Sequence, residues 1–447
     1  MKSRRILLAL SAALLLSAGA SAQSFRSGYF LDNYVYGYRI NPAQINKKSF
    51  LGLGLGNIDL QNNSNIGEAS LLFPRNGELV TGFNKAVSAD EFLGGLPDQI
   101  AFSFDESINL LSFGVAREKT MHTFEFNIRT LASIGLPHEI FEFLKLGGNK
   151  TYDISDIRIS AGVVGDIAYG YSRQINKYWS VGGRIHLLLG VADVNAYSVD
   201  SNISLTAAET DLNSEIHLQT TGLPKLALDE DGNLDPGNTK FSGSPIGGYG
   251  AGLDLGIEYR PIDGLSITAS VTDLGFISRE STTNLKANGN VSYKGKDITY
   301  EDGTIKAEFD DVLDDLKEAI HFTEAPAESR TDLMPFNVAL GARYRMPFYK
   351  GLSVGVLGTY HSEEIAPWYD IRGGLTFTPG YAMSVTANFG TGTFGPSFGG
   401  ALNFHLGPFN LLAGVDTFFG DMGKINGIPV PLEGFQINGH VGLALTF

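Results

Sequence analysis

The chain contains no cysteine in 447 residues, so disulfides, thiolate metal sites and thiol nucleophiles are all excluded. Charge is scarce at 18% of residues, and 33 basic against 48 acidic residues leave a formal −15. No basic patch is present, so nucleic acid is not an expected partner. Beyond the first 22 residues no uninterrupted apolar stretch reaches eighteen, which excludes a bundle of membrane helices. It does not exclude a barrel, whose strands signal themselves by alternation. A 43% hydrophobic content argues against disorder. What abounds is glycine, at 55 residues well above the usual ~7%, without the every-third-residue period of collagen.

Residues 1–22 read as a signal peptide. Lys2, Arg4 and Arg5 precede an apolar run at 6–16, and Ala20-Ser21-Ala22 fits a small-residue cleavage site. The run is too short for the ~20 residues of a spanning helix. Removal of the three basic residues leaves 30 against 48, a mature charge of −18. The expected destination is the outer membrane of a Gram-negative bacterium.

The main signal is a period of two. Phe435, Ile437, Gly439, Val441, Leu443, Leu445 and Phe447 share one face, and Gln436, Asn438, His440, Gly442, Ala444 and Thr446 the other. Leu253, Leu255, Ile257 and Tyr259 alternate in the same way with Asp254, Gly256, Glu258 and Arg260. Such runs last about ten residues, the length a tilted transmembrane strand needs. Short connections (174–177, 261–264, 347–350, 379–380, 407–408) alternate with long ones, as periplasmic turns and extracellular loops do. Trp179, Tyr259, Tyr344, Trp368, Tyr369, Phe409 and Phe447 suit interfacial girdles.

The pattern predicts an all-β fold, a transmembrane antiparallel β-barrel of about 14 strands. Strands are expected near 50–57, 106–116, 122–130, 156–173, 178–189, 250–260, 264–273, 335–345, 351–360, 368–377, 382–390, 394–406, 409–419 and 434–447. An N-terminal hatch segment at 23–47 precedes a barrel at 48–447. Long extracellular loops fall near 58–105, 131–155, 191–249, 274–334 and 420–433. Short helices are expected at 138–145 and 311–320, packed on the barrel mouth. Gly165, Gly183 and Gly400 fall on lipid-facing registers as candidate kinks. Gly52, Gly54 and Gly56, on the inner face of the first strand, would let the hatch backbone approach closely.

Two segments carry a resemblance. His440, Gly442, Leu445 and Phe447, within the terminal eight residues, resemble the signal by which barrel-assembly machinery recognises its clients. Tyr38-Arg39-Ile40-Asn41-Pro42-Ala43, Ala89-Asp90-Glu91-Phe92-Leu93, Leu110-Leu111-Ser112-Phe113-Gly114, Tyr152-Asp153-Ile154-Ser155-Asp156 and Val271-Thr272-Asp273-Leu274-Gly275-Phe276 extend over nearly the whole mature chain. Together they resemble a family of uncharacterised outer-membrane barrels. That family is similar to the long-chain fatty-acid transporter (FadL/TodX) superfamily and to the PorV-type barrels of secretion. The resemblance implies a lumen hatch, with Asn41, Pro42 and Ala43 as its gate residues. It does not transfer a substrate.

Enzymatic chemistry has little support. No serine sits in a G-x-S-x-G elbow, and the eight histidines form no H-E-x-x-H spacing. The acidic run Asp229 to Asp235 lacks calcium-loop spacing and reads as a solvated turn. No cofactor or resident metal is expected. Glu125, Arg129, Arg184, Asp254, Glu258, Arg343, Arg345, Arg372 and Asp416 lie on polar strand faces. A lipid-facing Arg or Lys at the bilayer midplane costs ~2–4 kcal/mol, so these charges are expected to line the lumen. The readings that remain are a passive transporter of an apolar or amphipathic ligand, a scaffold barrel for surface or secretion partner proteins, and, less supported, an outer-membrane enzyme. Outer-membrane lipid is a partner in each.

Overall fold

The computed structural model describes residues 25–447 apart from 76–77, 147–149, 206–209, 223–224, 236, 241–243, 294–299, 302–303, 306–320, 366, 417–421, 426–427 and 432–433. The leader at 1–22 and the helix expected at 311–320 therefore lie outside the described residues. Fourteen antiparallel strands close one barrel. They are β1 (Phe50–Ser64), β2 (Gln99–Ala116), β3 (Thr120–Pro137), β4 (Arg158–Gln174), β5 (Trp179–Leu205), β6 (Gly248–Tyr259) and β7 (Leu265–Glu280). The second half comprises β8 (Asn337–Arg345), β9 (Leu352–His361), β10 (Trp368–Gly380), β11 (Met383–Gly392), β12 (Gly395–Leu406), β13 (Phe409–Val415) and β14 (Phe435–Thr446). Each pairs with its neighbour in chain order, and β14 returns to β1 with Thr446 opposite Phe50. Short turns and both barrel termini share one end, the periplasmic one, as in bacterial single-chain barrels.

Alternation decides which face meets what. On β6, Leu255 is half exposed while its neighbour Asp254 is wholly buried. Phe389, Phe398, Leu402, Leu411, Val441 and Leu443 continue the exposed apolar belt around the wall. A belt of this extent is covered only by a bilayer. The protein is therefore a membrane-spanning barrel, and such barrels occupy outer membranes.

The structure departs from the sequence reading above the membrane. β5 runs 27 residues, roughly 90 Å at ~3.3 Å per residue, far beyond the ten that cross a bilayer. Its outer half pairs with Thr210–Gly222, which pairs with Thr283–Tyr293. The loops expected at 191–249 and 274–334 are thus partly sheet, and those at 58–105 and 131–155 begin later because β1 reaches Ser64 and β3 reaches Pro137. Outside lipid no apolar solvent selects one face, and His217, Leu218, Gln219, Thr220 and Thr221 are buried in succession, so alternation lapses although pairing continues. Register shifts in the barrel fall at Leu51/Asn57, Asn109/Leu111, Val163/Val164, Leu253/Leu255 and Phe377/Gly380, whereas Gly183 and Gly400 pair in regular register with their own neighbours. Trp368 is not a girdle residue: it is buried and faces the lumen.

Candidate functional site: the hatch and its lumen wall

Residues 25–49 fill the lumen before the chain enters β1. Gly28, Gly37 and Pro42 interrupt any regular period, and the segment forms only two 3-10 turns, Arg26–Phe30 and Gly37–Arg39. Phe25, Leu31, Tyr34, Val35, Tyr36 and Tyr38 pack as one apolar cluster against Phe50, Met121, Ala401, Leu412 and Ala444 of the wall. Phe25 stacks on His440 at 4.6 Å between ring centroids. At Gly52 an added Cβ would lie 2.5 Å from Tyr36 Oη, so this first-strand glycine admits the hatch. The Tyr36 hydroxyl donates to the Leu443 carbonyl at 3.2 Å.

Asn41, Pro42 and Ala43 form an Asx turn seated in a recess of the wall. The Asn41 side chain accepts from Ala43 N–H at 2.9 Å and donates to the Ile257 carbonyl at 3.0 Å. Ser172 donates to the Pro42 carbonyl at 2.6 Å, and Ser270 to the Ile40 carbonyl at 2.7 Å. The recess exists because Gly182 on β5 faces Gly256 on β6. A Cβ at Gly182 would sit 1.9 Å from the Pro42 oxygen, and one at Gly256 would sit 2.2 Å from Asn41 Oδ1. Sequence reading singled out the turn but missed its seat; the signal was two small residues on inward registers of adjacent strands.

The three charged residues of 25–46, Arg26, Asp32 and Arg39, each meet opposite charge on the wall. Arg39 contacts Asp59 at 3.0 Å, Glu125 Oε1 at 2.8 Å and Asn127 at 3.0 Å. Glu125 also accepts from Tyr38 at 2.7 Å and pairs with Arg184. From Arg184 the network continues to Asp254 at 2.9 Å, and His186 bridges Asp166 and Asp254 at 2.8 and 3.1 Å. Asp254 accepts from Asp273 N–H at 2.7 Å, and Asp273 pairs with Arg129 at 3.0 Å. At a second node, Asp416 accepts from Arg26 Nε at 3.2 Å, Ser27 N–H at 2.6 Å and Asn438 at 2.8 Å. Arg26 lies over the Trp368 ring at 4.9 Å, while Arg372 pairs with Asp370 at 3.1 Å. At the third node, Arg343 and Arg345 contact Asp32 Oδ1 at 3.0 and 3.1 Å.

The charges singled out from sequence thus occupy distinct places. Glu125, Arg129, Arg184, Asp254, Arg372 and Asp416 are buried inside the barrel. Arg343 and Arg345 lie toward the periplasmic rim, where Glu258 pairs with Arg260. His440 is buried on β14 beside Asp59, with Gly442 and Leu445 opposite Asn57 and Leu51 of β1. Phe447 is exposed at the periplasmic end and donates its N–H to the Ser49 carbonyl at 3.0 Å. Arg26, Asp32, Asp59, Asp166 and His186 were not singled out, and Asp273 was quoted only within the Val271–Phe276 segment. For the hatch, three lone charges in a tyrosine-rich N-terminal segment, Arg26, Asp32 and Arg39, were the available signal.

The extracellular mouth is covered from two sides. The described residues of 65–98, with helix α1 (Ala89–Leu93), pack on an apolar core that includes Ile100 of β2, and helix α2 (His138–Leu146) adds Phe141 to it. The Lys145 ammonium caps three carbonyls there, those of Gly82, Asn84 and Val87, at 2.7–3.0 Å. From the opposite wall, the 362–365 segment between β9 and β10 crosses to strands about halfway around the ring. Ser103 on β2 donates to Glu363 at 3.0 Å, Arg158 on β4 pairs with Glu364, and Ile365 abuts Gly135 on β3. The exposed Asp229 turn, by contrast, is closed on itself, its carboxylate accepting from Asn233 and Asp231 N–H at 2.8 and 3.0 Å.

The crossing segment is expected to respond to pH. Burial, with Asp105 nearby, pushes the Glu363 carboxyl up to about 7 against the hydrogen bond from Ser103. A docked Glu363 therefore holds its proton more tightly than a free one. Docking is strongest below the ordinary glutamate value of ~4.3 and weakens as pH rises through about 7. Hydrogen exchange across 362–365, corrected for intrinsic rates, is expected to be slower at pH 5 than at pH 8. Glu363→Gln should abolish the difference; if the difference persists, Glu363 is not its source.

Fold and site together define a membrane β-barrel whose N-terminal segment plugs its lumen. The chain belongs to a family of unknown function (DUF5723), whose model matches residues 42–416. No curated protein matches it in sequence. Among solved structures it is similar to a TodX deltaS2S3 mutant monoaromatic hydrocarbon channel, with 10% identity, 92% of this chain and 94% of that chain covered, and a TM-score of 0.48. The Pseudomonas putida toluene transporter TodX follows with 10% identity, 93% and 94% coverage and a TM-score of 0.46. A Pseudomonas aeruginosa FadL homologue shows 10% identity, 96% and 98% coverage and a TM-score of 0.43.

Proposed function

We propose that this protein is an outer-membrane channel for passive uptake of hydrophobic or amphipathic small molecules, gated by displacement of its hatch. The observation that carries the reading is the wall beside the hatch tip. Gly400, Val415 and Gly439 lie in one row across β12, β13 and β14, and with Ala413 they floor an apolar groove of about 1110 Å3 on the membrane face. On the lumen side of this wall Phe25 presses on Gly414, where a Cβ would lie 2.3 Å from its ring. At Gly400, Gly414 and Gly439 no side chain thickens the wall between the plug and the bilayer. A solute that displaces 25–47 reaches either the periplasm or this thin wall.

The plug makes no strand pairing with the barrel and is held by side-chain contacts that an incoming solute can exchange. Purification from native membranes in mild detergent, followed by mass spectrometry, tests the reading. A defined apolar molecule at near-equimolar amount, lost when Asn41-Pro42-Ala43 is disrupted, is expected. A second reading, a scaffold barrel for surface or secretion partners, draws support from the densely ion-paired lumen and the β5 sheet that stands outside the membrane. Stoichiometric protein subunits with no small molecule would favour it.

A further inference from the structure

At the extracellular mouth, the lumen wall under the crossing segment leaves several side-chain oxygens without a partner. Ser103, Asp105 and Ser107 alternate along β2 and share its inner face. Ser103 Oγ is engaged twice: it accepts from Asn63 Nδ2 at 3.2 Å and donates to Glu363 at 3.0 Å. Asn63 Oδ1, Asp105 Oδ1 and Ser107 Oγ are buried and meet no hydrogen-bond partner. Asn63 is 3% exposed and Ser107 1%, so each holds its oxygen away from bulk water, at a cost in free energy until something fills the place. Charge is out of balance in the same direction. Arg129 lies 3.8 Å from Asp105 Oδ2 but 3.0 Å from Asp273 Oδ1, so its charge is committed chiefly to Asp273. Arg158 is committed to Glu364 and Asp156. Asp105 is near enough to act on Glu363 electrostatically, and among the described residues Glu363 meets a hydroxyl but no cation.

We propose that Asp105, Glu363, Asn63 and Ser107 hold a divalent cation of the calcium class, and that the ion clasps the crossing segment to β1 and β2. The donor set is all oxygen: two carboxylates that balance the charge, one amide carbonyl and one hydroxyl. Calcium accepts such mixed sets, completes them with water and tolerates irregular geometry, whereas magnesium demands a near-ideal octahedron. Among the described residues no three acidic or imidazole ligands converge. Affinity is therefore expected at the weak end, a Kd of ~0.1–1 mM, as in extracellular calcium modules. The ligands come from three distant parts of the chain, so no loop spacing in the sequence announces them. The Asp229 turn is the reverse case, acidic in sequence but closed on its own backbone and Asn233. Because Glu363 belongs to the crossing segment and the other ligands to the wall, the ion binds the docked segment and not the released one. The site needs neither hatch displacement nor flux, so its failure leaves the transport reading untouched.

Isothermal titration of calcium chloride into the full chain in detergent, stripped with EDTA and held at constant pH, reads the site directly. One saturable site is expected, with magnesium chloride at least ~10-fold weaker. Asp105→Asn and Glu363→Gln should each weaken calcium at least ~10-fold, because each removes half of the compensating charge. Glu364→Gln and Asp229→Asn, on carboxylates turned to Arg158 and to the closed turn, should leave the affinity unchanged. Hydrogen exchange across 362–365 is followed in the same samples. Calcium at ~10 times its Kd should slow exchange about tenfold in the wild type, since it binds only the docked segment. Glu363→Gln can still accept the Ser103 hydrogen bond, so its segment stays docked yet no longer responds to calcium, a pattern that misfolding cannot imitate. No saturable heat below ~10 mM calcium, or equal affinity for magnesium, overturns the proposal. So does calcium binding unchanged in Asp105→Asn, or exchange at 362–365 indifferent to calcium.

Discussion

Gly182→Leu is expected to evict the Asn41-Pro42-Ala43 turn from the wall while leaving the barrel closed. The Cβ alone would lie 1.9 Å from the Pro42 oxygen and 2.8 Å from Ala43 N, both backbone atoms that cannot rotate away. Leaving the recess forfeits the hydrogen bonds from Ser172 to Pro42, from Asn41 to Ile257 and from Ser270 to Ile40. At about 1 kcal/mol each these bonds hold the turn by about 3 kcal/mol, and a Cβ pressed to 1.9 Å from a backbone oxygen, well inside van der Waals contact, costs more than they return, so the turn leaves. The loss falls on a segment outside the strand ladder, so it appears as local release rather than unfolding. Trypsin cleavage at Arg39 should accelerate strongly while heat-modifiable gel mobility stays that of a folded barrel. Gly183→Ala, whose Cβ meets only Asp254 O at 3.3 Å and Leu255 Cδ2 at 3.6 Å, is the control and should stay resistant. Equal resistance of Gly182→Leu would show that the recess does not hold the turn.

Arg39→Met is expected to have the second large effect. The guanidinium bridges Asp59 on β1 and Glu125 on β3, two buried carboxylates that share it. Removing one partner of a buried ion pair costs about 3–5 kcal/mol because a charge remains without compensation. Here the lower end applies, since Glu125 keeps Arg184 and Tyr38, and Asp59 keeps His440. Arg39→Lys should not rescue, because an ammonium cannot fork to Asp59, Glu125 and Asn127 at once. Planar-bilayer conductance is the readout: wild type low and quiet, both variants higher and fluctuating. Wild-type conductance in Arg39→Lys would mean that charge alone, without the fork, secures the hatch.

The membrane-embedded fold was legible because lipid imposes one rule on every strand. Leu253, Leu255 and Ile257 against Asp254 announced β6, and the same alternation located all fourteen strands. The rule stops at the membrane surface, which is why the outer half of β5 and its partner Thr210–Gly222 read as loop. The hatch was legible in outline only. Its anchors join residues far apart in the chain, as Arg26 and Asp416 are by 390 positions, and one sequence carries no trace of which charge meets which. Trp368 misled for a related reason. An aromatic at a strand end suits a lipid interface, but its inward register places it over Arg26 instead.

Hatch-gated passage is tested most directly by the flux of an apolar fluorescent solute into liposomes carrying the full barrel, compared with Gly182→Leu and Arg39→Met. The expected result is slow flux in wild type and faster flux in both variants, with barrels of equal folded content. No flux above protein-free liposomes in any of the three would contradict the account and leave the barrel as a scaffold.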